Sequence, residues 1–515
     1  MTTNNTESKR LFINIIAQAV TFLVQASINF LLTPFIVAEL GADAYGYVSL
    51  AENFVLAAQV IVIALNSMAG RFITVAYHQN KLAETQSLFS SVFYSNIVLS
   101  LIIFIISFGC VFHLEHLIQI PDSLCFDVKL LFSLVFANFI ISIIFSTFQV
   151  ATFIKNRLEL NAIRNITSNI IRVLVLIIAF SLFNAHLWYI GFAAILCTSY
   201  IALYNIRYTR QLTPEITISL DAFDIKKIRI LIMSGMWNSI TKLGNILGQG
   251  LDLLLANLFI DSMAMGSLSL TKKLPVVILS LISTICAAFA PSLTKKFAQQ
   301  QYDPLKSELL FSNRLAGCIA ILPCSFIFIF GDKFYALWTP SVDSKELYIL
   351  TILGIFSMPT AMALEGVQNI FTIANKVKIY SIATFSFNFG SFLTLLIGIS
   401  FVDISYRIYF LATATSIWSF FRVGLFLPIY GAICIRERKT FFFTSLIKMH
   451  IALAVCLLFL FVLKRSITIE SWFDLGSTFI ISMLISMLIS FLFIFSTEDR
   501  KRITTFAIRK IRRNK

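Results

Sequence analysis

The sequence has little charge and lacks the common catalytic signatures. Only 13% of its 515 residues are Asp, Glu, Lys or Arg, whereas 58% are hydrophobic and the mean hydropathy is +0.85. Soluble globular chains carry about 25% charged residues, so a soluble protein is excluded. The chain contains no Walker A sequence, no dinucleotide-binding glycine pattern, no HExxH and no GxSxG. ATP hydrolysis and most hydrolytic chemistry are therefore excluded.

Signals for disulfides and metals are also absent. The eight cysteines lie mostly in apolar runs and show no CxxC spacing, which is typical of buried structural residues. The segment His113-Leu-Glu115-His116 offers too few ligands for a metal and is interpreted as an exposed external loop. We expect no metal and no cofactor.

Long apolar runs fill the chain and predict an all-α polytopic membrane protein with about 14 transmembrane helices. The candidate spans lie near residues 11–35, 45–70, 88–112, 127–152, 164–184, 187–206, 229–260, 266–292, 309–331, 346–373, 379–401, 406–431, 444–464 and 475–496. The first run is too long for a signal-peptide core, so we expect a retained helix that enters from the cytoplasm.

Basic residues collect in alternate connectors, as Arg207, Arg210, Lys226 and Lys227 do. The positive-inside rule then places both termini in the cytoplasm and accounts for most of the net charge of +15 without nucleic acid. The basic tail that begins at Arg500 alternates with apolar residues and is expected to lie on anionic lipid.

Two windows of the sequence repeat. Gln149 to Asn169 resembles Gln368 to Asn388 at an offset of 219 residues, and Gly46 recurs as Gly266 at an offset of 220. Because each copy holds six helices, an even number, the two lobes are predicted to be parallel and to surround a central cavity. The predicted organisation is an N-terminal six-helix lobe (1–206), a cytoplasmic linker (207–228), a C-terminal six-helix lobe (229–431), two extra helices (444–496) and a basic cytoplasmic tail (497–515).

The first helix of each lobe carries a polar stripe. The stripes consist of Asn14, Gln18, Thr21, Gln25 and Asn29 in the first span, and of Asn238, Lys242, Asn245, Gln249 and Asp252 in the seventh. Unpaired polar groups are costly in hydrocarbon, so each stripe must face protein or water. Hydrogen bonding inside a packed bundle is one explanation. A shared central cavity explains two matching stripes more simply.

Ionisable residues inside the spans leave an excess of positive charge. The cations are Arg172, Lys242, Lys272, Lys273, Arg314 and Arg422, and the anions are Glu52, Asp252 and Glu365. Charges at membrane depth need partners, and an anionic substrate would supply them. The predicted substrate-binding residues are Lys242, Asn245, Gln249, Asp252, Gln18, Gln25, Arg172 and Arg422.

The repeat aligns Glu52 with Lys272 and Asn53 with Lys273. We expect Glu52 to pair with Lys272 or Lys273 as an outer gate. The alternative is that both lysines snorkel to the outer headgroups. Asp252 or Glu365 could titrate if desolvated, so either is a candidate for ion coupling.

The lobes, the stretch Asn66 to Arg71 (NSMAGR), the end of the eighth span at Ala287 to Pro291 and the Gln149/Gln368 repeat together resemble the polysaccharide-export family. Its superfamily also holds multidrug extruders and lipid II flippases. Within it the chain is most similar to Wzx-type O-antigen and capsule repeat-unit flippases.

That resemblance implies a flippase that moves undecaprenyl-pyrophosphate-linked oligosaccharides across the bacterial inner membrane by alternating access. It implies membrane lipids as partners, H⁺ or Na⁺ as the candidate coupling ion, and contact with the polysaccharide polymerase machinery. It implies neither enzymatic activity nor nucleic-acid binding.

Two alternatives remain open. One is a same-fold exporter of lipid II or of cationic drugs, although a drug-cation site favours anions and this chain has more cations. The more distant alternative is a polytopic O-antigen polymerase or ligase. Such enzymes build their site from a large external loop, whereas the external connectors here are short.

Overall fold

The structure is a computed structural model that describes residues 2–155 and 157–500. The side chains of residues 2–16, Gln18, Ala19 and Gln249 lie outside that description. Every regular element in the described residues is a helix, and twelve helices there are long and apolar enough to cross a membrane. The predicted all-α membrane fold is confirmed.

The chain forms two compact units, residues 1–266 and 267–515. The helices of the first unit are α1 (Thr2–Leu40), α2 (Ala42–His78), α3 (Leu82–Phe112), α4 (Leu114–Leu117), α5 (Cys125–Ser146), α6 (Val150–Ile154), α7 (Leu158–Leu182), α8 (Trp188–Leu212), α9 (Ile225–Gln249) and α10 (Leu251–Phe259). Helix α11 (Ser262–Thr271) begins in the first unit and ends in the second.

The second unit continues with a further set of helices. They are α12 (Lys273–Ala287), α13 (Ala290–Ala298), α14 (Tyr302–Trp338), α15 (Ser344–Ile355), α16 (Met358–Ala363), α17 (Glu365–Ile373), α18 (Val377–Gly398), α19 (Arg407–Phe421), α20 (Leu427–Cys434), α21 (Phe443–Ser466) and α22 (Trp472–Phe493). Short 3₁₀ turns cover Asp122–Leu124, Thr147–Gln149, Ile399–Phe401 and Ile404–Tyr406, and a π-helical turn covers Arg422–Phe426.

Within the first unit, α2 packs against α3, α5 and α9, while α7 packs against α1 and α8. The seventh predicted span, which contains α9, therefore packs on the first unit, and the compact units divide later than the predicted lobes. The predicted lobe boundary at residue 229 rests on the repeat and stays a prediction. In the second unit, α14 contacts α15, α16, α21 and α22, so it lies at the centre of that unit.

Several of the fourteen predicted spans, among them the seventh, eighth and tenth, are interrupted helices. The seventh divides into α9 and α10 at Gly250, and the tenth divides into α15, α16 and α17. Glycine close to a break is expected, because it weakens helix more than other residues except proline. The seventh and tenth spans are not among the twelve long apolar helices, so the described residues hold two fewer candidate spans than the predicted fourteen.

Helix boundaries follow the predicted repeat. In the first unit α6 ends at Ile154 and α7 begins at Leu158, and in the second α17 ends at Ile373 and α18 begins at Val377. Both pairs of boundaries differ by 219 residues, the offset of the sequence match. The repeated sequence thus encodes the same short helix, turn and long helix.

The segment between α8 and α9 is attached to the first unit. Ile216 is buried in a cluster with Ile73 and Leu88. The Tyr77 hydroxyl donates to Glu215, and the Asp224 backbone N–H donates to the Ser91 hydroxyl at 2.8 Å. This segment is therefore an ordered strap across the ends of α2 and α3.

Candidate substrate and ion sites

Helices α2 and α9 approach at nearly backbone distance, and this contact positions Lys242. A Cβ added at Gly235 would lie 2.7 Å from the Ser67 hydroxyl oxygen and would overlap the Ala64 carbonyl oxygen. Four residues later, the Ser239 hydroxyl donates to the Val60 carbonyl at 2.9 Å. Lys242 follows Gly235 by seven residues and so lies on nearly the same side of α9.

Lys242 is half-buried, and its ammonium has no ion-pair partner among the residues that the structure describes. Asn245, one turn further along α9, is exposed. Gln249 belongs to the predicted set, but its side chain lies outside the described residues. The structure thus leaves Lys242 as a cation whose charge is balanced by none of the described side chains.

The break at Gly250 corrects the prediction of one continuous stripe from Lys242 to Asp252. Asn53 donates from Nδ2 to the Gly250 carbonyl at 3.0 Å and so satisfies a backbone group at the break. Asp252 lies on α10, is buried, and accepts from the Leu253 backbone N–H at 2.9 Å. Asp252 therefore belongs to a different helix from Lys242, and the orientation of its side chain depends on α10.

The other predicted binding residues of the first unit lie on α1 and α7. Gln25 is exposed on α1, and Thr21 is buried with its hydroxyl donating to the Ala17 carbonyl at 2.8 Å. Arg172 is half-buried on α7, and its Nε is buried without a hydrogen-bond partner among the described residues. Gln18 lies outside the described side chains. Helices α1 and α7 are in contact, so these residues occur on neighbouring helices.

The second unit places a carboxylate in a built polar cluster. Glu365 is the first residue of α17, directly after the break at Leu364. One carboxylate oxygen accepts from the Ser283 hydroxyl at 2.5 Å and the other accepts from Gln368 Nε2 at 2.7 Å. The Tyr380 hydroxyl donates in turn to Gln368 Oε1 at 3.0 Å. The N-terminus of α17 adds a partial positive charge that stabilises the Glu365 carboxylate.

Arg422 belongs to the same cluster. It begins the π-helical turn, a rare helix defect that is frequent at functional sites. Its guanidinium lies within electrostatic range of Glu365 and Tyr380. Arg422 Nε is buried with no hydrogen-bond partner among the described residues. Two predicted residues, Glu365 and Arg422, are thus brought together inside one unit.

The remaining predicted residues are described unit by unit. Glu52 is exposed on α2, while Lys272 lies at the turn before α12 and Lys273 begins that helix, both half-buried. The pairing of Glu52 with Lys272 or Lys273 stays a prediction. Arg314 forms an ion pair with Asp499 at 2.5 Å, so a carboxylate near the chain end neutralises this cation.

Glu115 and His116 lie in the short helix α4 and not in the loop that the sequence predicted. Glu115 pairs with Lys129 at 2.6 Å, and this contact holds the pKa of Glu115 below its usual range. Within residues 2–155 and 157–500, no group of three or more His, Cys, Asp or Glu side chains is arranged to hold a metal ion.

Sequence reasoning missed Ser283, Tyr380 and Arg164 as members of polar clusters. Ser283 and Tyr380 carry no periodic signal, because only the fold brings them to Glu365. Arg164 is the first residue of the fifth predicted span and is not among the predicted site residues, yet it is 3% exposed inside α7.

The comparisons with known proteins decide the family. Residues 9–297, more than half of the chain, match the family described as polysaccharide biosynthesis protein. The chain belongs to the polysaccharide biosynthesis protein family. One relative is the membrane protein EpsK of Bacillus subtilis strain 168. The two sequences are 24% identical over 503 residues, and the alignment covers 95% of this chain and 97% of EpsK.

Solved structures show that this family member has a known transporter fold. The lipid II flippase MurJ in an inward closed conformation superposes with a TM-score of 0.68 at 14% identity, over 94% of this chain and 98% of MurJ. An inward-facing multidrug resistance MATE family transporter of the MOP superfamily gives 0.63 at 11% identity, over 81% and 94%. At these identities the likeness concerns the fold alone.

Proposed function

We propose that the protein is a flippase that moves undecaprenyl-pyrophosphate-linked oligosaccharide repeat units, of O-antigen or capsule, across the bacterial inner membrane by alternating access. Both termini are proposed to be cytoplasmic. The substrate presents an anionic pyrophosphate, sugars that need hydrogen bonds, and a lipid tail that stays in the bilayer.

One observation carries the proposal, together with the family. Lys242 and Arg172 lie in predicted spans of the first unit, and neither has an ion-pair partner among the described residues. A charge at membrane depth costs at least about 2.5–3.5 kcal/mol, so it persists where a partner arrives from outside. A pyrophosphate supplies that partner, whereas a cationic drug does not.

The Glu365 cluster is the proposed ion site. It combines a carboxylate, a hydroxyl, an amide and the guanidinium of Arg422 inside a single unit. A proton or a sodium ion that binds Glu365 would weaken its electrostatic attraction to Arg422, since a neutralised carboxylate attracts a guanidinium less. Asp252 is the second candidate, but its carboxylate is already directed toward the first turn of α10.

The test is a transport assay with the purified full-length protein in liposomes. The probe is a synthetic polyprenyl pyrophosphate that carries one fluorescent N-acetyl sugar. We expect the protein to make inner-leaflet probe accessible to a membrane-impermeant quencher. Phosphatidylglycerol carrying the same fluorophore should not be moved.

Three results would overturn the proposal. Equal transport of both probes would indicate nonspecific scrambling of lipids. No transport of the sugar probe, combined with transport of a fluorescent cationic dye, would favour the drug-exporter alternative. Lipid II is the fourth probe, and faster transport of lipid II than of the sugar probe would favour the lipid II flippase.

A further inference from the structure

Arg164 is a buried cation that lacks an acidic partner. It is 3% exposed on α7. Its guanidinium donates to the side-chain oxygen of Asn205 on α8, and to that of Asn165 at 3.1 and 3.3 Å. No carboxylate lies within ion-pair distance of it in the described part of the chain. Neutral amide oxygens orient the charge but do not neutralise it.

A row of tyrosines runs along α8 beside Arg164. Tyr200, Tyr204 and Tyr208 are spaced by four residues, and their ring centroids are 4.7 and 5.8 Å apart. At 1.5 Å rise per residue, Tyr208 lies about 6 Å and Tyr200 about 18 Å from the end of α8 at Leu212. The sixth predicted span ends at residue 206, so Tyr208 lies about 3 Å beyond that end and Tyr200 about 9 Å inside it.

An interfacial aromatic belt explains the tyrosines near the end of α8 but not Tyr200. Belts hold Tyr at the headgroup level, which fits Tyr208 and Tyr204, whereas Tyr200 lies two turns deeper than Tyr208. Tyr200 interacts with Thr167 of α7, and Tyr208 lies within electrostatic range of Arg164. The row of tyrosines therefore lies along the contact between α7 and α8, which we call the α7–α8 groove.

This groove borders the surface that faces lipid. Exposed apolar side chains flank it on both helices, with Leu203 67% exposed on α8 and Ile163 59% exposed on α7. A molecule with a hydrocarbon tail can therefore keep its tail in the bilayer while its headgroup contacts the tyrosines.

We propose that the α7–α8 groove binds the phosphate group of a lipid-linked sugar at the cytoplasmic end of the first unit. This inference rests on the proposed function and names an entry site for its substrate. The Tyr208 and Tyr204 hydroxyls donate to phosphate oxygens or sugar hydroxyls, and Arg164 behind them supplies the positive charge. Because Arg164 is buried, it acts as a positioning residue that polarises the tyrosines rather than as a direct ligand.

The chemistry favours phosphate over a neutral headgroup. A buried charge without a counter-ion is energetically costly, and an anion brought within a few ångströms reduces that cost. Hydrogen bonds to charged groups are stronger than those between neutral groups. The row of hydroxyls continues inward from the phosphate and suits sugar hydroxyls.

The binding test uses the full-length protein in phosphatidylcholine nanodiscs, with a photo-crosslinking amino acid at Leu203 and radiolabelled geranylgeranyl pyrophosphate as the probe. We expect a specific cross-link that excess unlabelled probe removes. Excess phosphatidylglycerol tests the phospholipid headgroup as the source of the phosphate, and inorganic pyrophosphate tests a free anion. Neither should compete at the same concentration.

Three variants separate the proposed contact from mere folding. Tyr204→Phe combined with Tyr208→Phe should weaken binding about tenfold, corresponding to about 1.4 kcal/mol. Arg164→Gln should do the same, and Arg164→Lys should restore part of the affinity because it keeps the charge. Tyr189→Phe, at the opposite end of α8, is the matched control and should bind as wild type.

Unchanged binding by the double tyrosine variant would overturn the proposal, as would equal competition by phosphatidylglycerol. The same variants are measured in the transport assay. If wild type moves the fluorescent sugar probe while the groove variants bind and transport normally, the groove is wrong and the flippase proposal stands. If wild type transports nothing but the cross-link depends on the tyrosines, the flippase proposal is wrong and the groove stands.

Discussion

The substitution Gly235→Ala tests the contact that positions Lys242. The new methyl group would lie 2.7 Å from the Ser67 hydroxyl oxygen and 3.0 Å from the Ala64 carbonyl carbon, and would overlap the carbonyl oxygen. Two of these three atoms are backbone, so α2 and α9 must separate. That movement stretches the hydrogen bond from Ser239 to Val60, now 2.9 Å.

The expected change in the free energy of unfolding combines two destabilising effects with one stabilising effect. Overpacking costs about 1–3 kcal/mol, and weakening one hydrogen bond adds about 0.5–1.5 kcal/mol. Alanine stabilises a helix by up to about 1 kcal/mol relative to glycine, which offsets part of this cost. We expect a net destabilisation of about 1–3 kcal/mol.

The assay is thermal unfolding of the purified protein in one detergent, followed by intrinsic fluorescence. Gly109→Ala on α3 is the matched control, because a Cβ there meets no atom within 4 Å. Gly235→Ala should melt several degrees below wild type, and Gly109→Ala at or above it. Identical melting of the two variants would refute the packing of α9 on α2.

Three further predictions concern function and the strap. Lys242→Ala and Lys242→Glu should fail to restore surface polysaccharide in a strain that lacks the protein, although both variants are still found in the membrane. Lys242→Arg should keep partial function, because it keeps the charge. Full activity of Lys242→Glu would show that Lys242 has no part in the mechanism. Glu365→Gln should abolish any acceleration of transport by an imposed proton gradient in liposomes, and retained acceleration would exclude this carboxylate as the proton site. The hydrogen bond from Tyr77 holds the pKa of Glu215 below its usual range. The ionised Glu215 therefore stabilises the strap at pH values above the ordinary carboxylate pKa, and this stabilisation is lost as the pH falls through the lowered pKa of Glu215. Tyr77→Phe should therefore expose residues 213–224 to proteases at neutral pH as acid does in wild type, and equal cleavage of both proteins at all pH values would contradict this.

Helix positions and the repeat could be predicted from the sequence because both depend on local features. Apolar run length sets where a helix can cross a membrane, and the matching windows around Gln149 and Gln368 predict the shared boundaries of α6, α7, α17 and α18. The break at Gly250 was not predicted. Its stability depends on Asn53, nearly two hundred residues away in sequence, which hydrogen-bonds the carbonyl at the break.

The charged residues of the candidate sites could be predicted from the sequence, but the side chains that contact them could not. Counting ionisable residues at membrane depth identified Lys242, Glu365 and Arg422, since each charge in a span is conspicuous against an apolar background. Ser283 and Tyr380, which complete the Glu365 cluster, are ordinary polar residues that occur anywhere in membrane helices.

The sequence by itself determined that this chain is a multi-pass helical membrane protein with an excess of intramembrane cations, because hydropathy and charge act residue by residue. Only the tertiary structure decided that α9 packs on the first unit through Gly235, that Glu365 lies within electrostatic range of Arg422, and that Arg164 lies buried beside a row of tyrosines. Such contacts join residues distant along the chain. They depend on side-chain shape and helix register, which composition and periodicity do not specify.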